Sequence, residues 1–238
     1  SLLAALLVFR DCQVSHAVLE VGLGGRLDAV NIVDADVAII CSIGMDHADW
    51  LGNTLEAIGR EKAGVLRAGR PAILSDPQMV ASVAQDAQRI GAQLWWSGRQ
   101  FQVHGALQQP GARWGVSGAG LALHDLPPPA LQGSVQYLNA AAALVALAQL
   151  PEPVRPDAAQ IARALGGVSL PGRIQVFPGP VEWILDVAHN EPAAAVLAAN
   201  LRSRPCAGRT WLVAGILGDK DIAAIARELS PVADHWIL

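Results

Sequence analysis

The stretch Asp36-Val-Ala-Ile-Ile-Cys-Ser-Ile43, followed by Asn53-Thr-Leu-Glu-Ala-Ile-Gly-Arg-Glu-Lys-Ala-Gly-Val-Leu-Arg67 and Pro71-Ala-Ile-Leu-Ser75, decides the fold. A short apolar run bounded by turn residues fits a strand buried in a parallel sheet. Between the two runs, Leu55, Ile58, Ala63 and Leu66 recur at helical spacing, with Asn53 or Thr54 as cap and Gly69 as terminator. The alternation continues outward. His16–Gly22 reads as an earlier strand, Met79–Ile90 as a helix and Gln93–Trp96 as a further strand. This order predicts a doubly wound α/β sheet.

From Gly98 to His124 the texture changes to short alternating segments separated by glycines, which predicts a small antiparallel insertion before Pro127-Pro-Pro129. Two helices are expected over Ser134–Leu150 and Pro156–Leu165, and Gly166-Gly-Val-Ser-Leu-Pro-Gly172 reads as a hinge. The alternation then restarts: strand Trp183–Val187, helix Pro192–Leu201, strand Thr210–Ala214, helix Ile222–Leu229, and strand from His235. The chain is therefore expected to divide into residues 1–170 and 171–238, the second part being the opening of another α/β domain. It starts at Ser1 and ends on Trp236-Ile-Leu238, and both ends are expected to be cut.

With 238 residues, 52% of them hydrophobic, and a mean hydropathy of +0.33, the chain has enough apolar surface for a full core. The alanine-rich run Asn139–Leu150 falls short of the ~20 residues that span a bilayer, so no membrane partner is expected. Leu2–Phe9 is apolar but lacks the flanks of a signal peptide. A net charge of −4 without any basic run argues against nucleic acid. Cys12, Cys41 and Cys206 are unclustered, Cys41 within an apolar strand, and read as free thiols of a cytoplasmic protein. A monomer is expected. Of 17 basic residues only Lys62 and Lys220 are lysine, so those positions call for an amine.

The residues that carry chemistry gather at predicted strand ends. Glu20 closes an apolar run just before Gly22-Leu-Gly-Gly25, at the carboxyl edge of the sheet where open α/β folds bind ligands. An ion-paired strand-end carboxylate is the plainer alternative. The glycines do not make a dinucleotide fingerprint, because the third glycine of G-x-G-x-x-G would fall on Leu27. Asp46-His47 ends the next strand. His47 is either a core histidine or, with Glu20, a donor to Mg²⁺ or Mn²⁺ bound to phosphate, since Mg²⁺ takes few protein ligands and keeps waters. Lys62, mid-helix, is otherwise a surface ion-pair partner. Asn139 opens a helix and could be its N-cap. Arg173 at the hinge clamps a phosphate or pairs with an acid. Asp186 and His189 of Asp186-Val-Ala-His-Asn190 end the first strand of the second part and reach a nucleotide there, with Asn190 as a cap. Gly218-Asp-Lys-Asp221 opens a helix, with a solvated cap as the alternative.

Taken together, Glu20-Val-Gly-Leu-Gly-Gly-Arg-Leu-Asp-Ala-Val-Asn31, Asp46-His47 with Leu51-Gly52, Arg60-Glu-Lys-Ala-Gly64, Pro171-Gly-Arg173, Asp186-Val-Ala-His-Asn190 and Asp219-Lys-Asp221 resemble the folylpolyglutamate synthase/dihydrofolate synthase family of the Mur ligase superfamily. The resemblance covers essentially the whole chain. It implies a Mur-ligase-like central domain followed by part of a glutamate-ligase domain. It also implies an ATP-dependent ligase of folate biosynthesis that joins dihydropteroate, or a folate's glutamate tail, to L-glutamate. By the same resemblance Glu20 and His47 bind Mg²⁺, and Lys62 is carbamylated. Leu27, Asp28 and Ala29 match the pterin-substrate segment, and Asn139, Arg173 and Asp186 match ATP contacts. Glu191 stands where the family commonly shows proline.

The family also carries a P-loop upstream of the Glu20 motif. Neither lysine of this chain follows the glycine ladder of G-x-x-x-x-G-K-[ST]. The chain alone is therefore expected to fold poorly in its first part and to be inactive in ligation. Two rival readings are a peptidoglycan-precursor ligase of the same superfamily and a non-catalytic scaffold. The folate-like Glu20 string and the lack of a recognisable UDP-sugar domain disfavour the first, and ATP binding would discriminate the second.

Overall fold

The computed structural model describes residues 2–105, 111–151, 154–204 and 206–238. Helix α1 (Leu2–Asp11) comes first and buries none of its side chains. Strands β1 (Ala38–Ile40), β2 (Pro71–Leu74) and β3 (Gln93–Trp96) form a parallel sheet in the order β1-β2-β3. The connections carry a short helix α2 (Ala48–Leu51), then α3 (Leu55–Ala63) and α4 (Ala81–Ile90). Thr54, not Asn53, caps α3, its side chain accepting from the Ala57 N–H.

β2 is central and buried along Ala72, Ile73 and Leu74. Successive strand residues face opposite sides. Ala72 and Leu74 accordingly join Ala63, Leu66, Val83 and Ala87 beneath α3 and α4, while Ile73 joins Phe101, Trp114, Val116 and Tyr137 in a second core cluster. That second cluster holds the antiparallel meander β4 (Phe101–Gly105), β5 (Trp114–Gly118) and β6 (Leu121–Leu126), together with α5 (Val135–Ala148) and Ile161 of α6 (Ala158–Gly167). The expected insertion thus forms; its residues 106–110 lie outside the described residues.

The C-terminal part opens with a two-stranded antiparallel sheet of β7 (Gln175–Phe177) and β8 (Trp183–Leu185). Helices α7 (Glu191–Arg202) and α8 (Ile222–Leu229) follow, with the parallel pair β9 (Trp211–Val213) and β10 (His235–Ile237). Ala194, Ala198, Ile225 and Leu229 make a separate core there.

Several expectations are corrected. His16–Gly22 is not a strand: among the described residues no strand pairs with it, and Val18 is 96% exposed. Leu19 and Val21 are half-buried, but no described strand lies beside the segment, and propensity alone does not make a ladder. Cys41 lies just past β1 and is exposed, like Cys12 and Cys206. Asn139 is not a cap, because α5 begins at Val135 with Ser134 in the cap position. Gly166 and Gly167 complete α6 rather than forming a loop. β8 is the second strand of its part, preceded by β7.

Candidate functional site

The loop Gly22–Asn31 shows why its sequence is so constrained. Asp28 accepts the Gly22 and Leu23 N–H groups on Oδ2 at 3.0 Å each and the Val30 N–H on Oδ1 at 2.9 Å. The hydrogen bond from Val30, then that from Leu23, holds the Asp28 pKa below its ordinary value against the opposing effect of burial. The loop is stitched to the end of α3. Arg26 donates its backbone N–H to the Glu61 carbonyl at 2.8 Å and its guanidinium to the Glu61 carboxylate at 3.0 Å. Asn31 Nδ2 donates to the carbonyls of Arg26 and Gly64. A Cβ on Gly64 would stand 2.3 Å from Arg26 Cβ, so only glycine allows this approach. The result presents Leu27, 79% exposed, and Ala29 outward, while Asp28 is turned in as the organiser of the loop.

Beside this loop lies a cavity of about 400 Å³ lined by Gly22, Ser42, His47, Lys62, Asn190 and Pro192, among others. His47 and Lys62 therefore share one cavity, and Lys62 is half-buried rather than on an open helix face. Glu20 is exposed and lies outside that lining. It is nonetheless close enough to act on Cys41 together with Lys62. Cys41 is exposed by area, yet enough atoms crowd its thiol that desolvation raises the pKa; Lys62 lowers it and Glu20 raises it.

Asp46 is the centre of charge. Its Oδ1 accepts Lys220 Nζ at 2.9 Å and the His47 N–H at 2.8 Å, and its Oδ2 accepts Asn190 Nδ2 at 2.9 Å. His189 Nε2 lies 3.4 Å and His47 Nε2 3.8 Å from Oδ2. Burial alone would raise the Asp46 pKa; the donors Asn190, Lys220 and His47 reverse that and lower it to about 2. The same hydrogen bond holds the Lys220 ammonium above the usual lysine range. His47 sits at φ 50°, a left-handed conformation rare for a residue with a side chain, and its N–H is fixed there by the preceding carboxylate.

The other expected site residues fall as follows. Asp186 accepts the Ile174 N–H at 2.9 Å and the Ala188 N–H at 2.8 Å. It thereby holds Ile174 at φ 46° and fixes the exposed Arg173 next to it. His189 pairs its Nδ1 with the Val187 carbonyl at 2.9 Å. Asn139, in the second turn of α5, donates to Gln136 at 3.3 Å and does not line the cavity. Asn190 is indeed the cap of α7, accepting the Ala193 N–H, but it also reaches Asp46. Asp221 caps α8, whereas Lys220 is no solvated neighbour: its side chain is 8% exposed. Sequence reasoning quoted Asp46 with His47 and marked Lys220 for its amine, but missed that their side chains pair in the site. The scarcity of lysine was the available signal for Lys220.

Among the described residues no three His, Cys, Asp or Glu side chains gather as a metal centre. A carboxylate and an imidazole beside a phosphate still suit Mg²⁺, which keeps waters and takes one or two protein ligands. The donor chemistry of Glu20 and His47 fits that ion. No described helix is long and apolar enough to cross a membrane.

Comparison with known proteins gives concordant results. Residues 172–238 match the family model "Mur ligase, glutamate ligase domain". The chain is 43% identical over 234 residues to the dihydrofolate synthase/folylpolyglutamate synthase of Escherichia coli K12, covering 98% of this chain and 53% of that protein. It superposes with a TM-score of 0.90 and 41% identity on E. coli FolC in complex with DHPP and ADP, covering 98% of this chain and 54% of that one. A bifunctional folylpolyglutamate synthase/dihydrofolate synthase with Mn, AMPPNP and L-glutamate bound is similar at TM-score 0.86 and 42% identity, with 98% and 54% covered. Residues 172–238 thus match a Mur ligase glutamate ligase domain, and the chain is similar along 98% of its length to dihydrofolate synthase/folylpolyglutamate synthases while spanning about half the length of the curated relatives it matches.

Proposed function

We propose that this chain forms the central and glutamate-ligase parts of an ATP-dependent ligase that joins L-glutamate to dihydropteroate, to a folate's glutamate tail, or to both. The observation that carries the reading is the single cavity walled by His47 and Lys62 from one part of the chain and Asn190 and Pro192 from the other. A ligase of this kind must bring an activated acid and an incoming amine together, and a cleft between two parts does so. Relatives solved with ADP and DHPP, or with Mn, AMPPNP and L-glutamate, support ATP, a folate-type acid and glutamate as the substrates. The division into residues 1–170 and 171–238, a monomeric state and a cytoplasmic location belong to the same proposal. The match of residues 172–238 to a glutamate ligase domain supports the division.

The substrate carboxylate attacks the γ-phosphate of ATP with release of ADP, and the amine of glutamate then opens the acyl phosphate, forming the amide and releasing phosphate and a proton. Glu20 and His47 would hold Mg²⁺, which supplies neutralisation of phosphate charge. Exposed Leu27 and Ala29 offer apolar surface to the pterin, with Asp28 holding their loop in shape. Lys62, half-buried beside His47, gives up one proton to expose its amine, which takes up CO₂ and releases a second proton, so that a cation becomes a carbamate anion. Arg173, Asp186, His189 and Asn139 serve the nucleotide; Asp186 does so by fixing the Arg173–Ile174 turn.

The test is product formation from dihydropteroate or a reduced folate with L-glutamate, Mg²⁺ and ATP, followed by mass spectrometry. It is run on this chain and on a form extended by its upstream coding sequence. The extended form is expected to add one glutamyl unit to at least one acid, and the chain alone to add none. An extended form carrying a P-loop yet inactive on both acids would overturn the reading; turnover by the chain alone would refute the need for a P-loop.

A further inference from the structure

We propose that Asp46 is a positioning residue that latches the C-terminal part of the chain onto the cavity through Lys220 and Asn190. Among the described residues, the ion pair that joins the elements before Pro171 to those after it is Lys220–Asp46 at 2.9 Å, and the His189 imidazole lies 3.4 Å from the same carboxylate. Asn190 adds a neutral hydrogen bond to the same group. The other contacts named here across this boundary are not ion pairs. Pro192 lies against Gly44, where an added Cβ would stand 2.6 Å from the proline Cγ. At the far end of α7, Asn200 packs on Gly133 and Arg204 reaches Gln132 at 3.4 Å. Helix α7 is thus pinned at both ends, and its N-terminal end, which lines the cavity, is the one that reaches Asp46.

The placement makes one residue serve two ends. Oδ1 of Asp46 holds the left-handed backbone of His47 at the cavity wall and, at the same time, Lys220 before α8. Lys220 has one other acid in reach, its neighbour Asp219 at 3.4 Å, which is exposed and on its own side of the boundary. Without Asp46 the lysine therefore loses its reason to stay in the cleft, since a largely enclosed ammonium without a partner returns to water. The cavity would then lose the wall that Asn190, Pro192, Ala193 and Val196 supply. This inference concerns how the chain closes its cavity and stands whether or not the ligase reading does.

The experiment measures the separation of the two parts in the upstream-extended form, without substrate. Spin labels are placed at Gln88 on α4 and Arg227 on α8, both exposed, after replacement of Cys12, Cys41 and Cys206 by serine. Pulsed dipolar spectroscopy then gives the distance distribution. The parent is expected to show one narrow peak. Asp46→Asn and Lys220→Met are expected to broaden it and shift it to longer distance, while Lys220→Arg, which keeps a cationic donor, restores the narrow peak. The double variant Asp46→Asn/Lys220→Met should be no broader than either single one. Circular dichroism identifies the folded variants; if Asp46→Asn does not fold, the two Lys220 variants decide. A broad parent, a parent-like distribution in folded Lys220→Met, or no rescue by Lys220→Arg overturns the latch.

Discussion

Asp28 shows at the scale of one residue how a charged side chain can serve as loop scaffolding. Three backbone N–H groups converge on its carboxylate, so the charge is satisfied by the chain itself and the neighbouring Leu27 and Ala29 are left free to face outward. Hydrogen bonds to the ionised form lower its pKa, and the sign of the pH effect follows. The stabilisation is complete above the unfolded value of about 3.9 and is lost as the pH falls through the lower folded value. The amide resonances of Gly22, Leu23 and Val30 should therefore titrate together with a midpoint below about 3.9. A common midpoint at or above that value would show that the carboxylate does not hold the loop. Asp28→Asn should speed amide exchange at Gly22 and Leu23 at neutral pH, with little change in α4.

At the scale of elements, the loop and α3 are one unit, because the end of the helix is the surface on which the loop is built. Adding a methyl at Gly64 would drive Cβ to within 2.5 Å of the Arg26 Cα, which the backbone must then move to relieve. Gly64→Ala is predicted to destabilise the protein by roughly 1–3 kcal/mol, as overpacking generally does. Urea unfolding measures this; an unchanged midpoint would mean that the loop does not sit on the helix in solution. The elements most legible in the sequence were those whose burial matched their period. Pro71–Leu74 is enclosed by helices below and the meander above, so an unbroken apolar run was a true strand signal. His16–Gly22 carries a similar run but has no paired neighbour among the described residues, and tertiary context overrode the pattern. Helix α1 is apolar on every side from Leu2 to Phe9 and has no fully buried side chain, so periodicity could not announce it. Strand β7 is three residues long and exists through its pairing with β8, which composition does not encode.

At the scale of the whole molecule, the cavity is lined by elements of both parts of the chain, which have cores of their own. His47, Lys62 and the glycines that open the Gly22–Asn31 loop, which the sequence singles out, line one cavity. The joint itself was not legible, since Asp46 and Lys220 are 174 positions apart and neither residue type signals a partner at that range. The central claim is that catalysis draws on both parts of the chain at once. The most direct test is glutamate-dependent phosphate release from ATP in the upstream-extended form, comparing His47→Ala from the first part with Asp186→Asn from the second. The account predicts that each variant, shown to be folded by circular dichroism, loses on the order of 100-fold in that rate, the scale of removing one group that positions or stabilises transferring charge. A parent rate that does not depend on L-glutamate, or either variant retaining the parent rate, would contradict it.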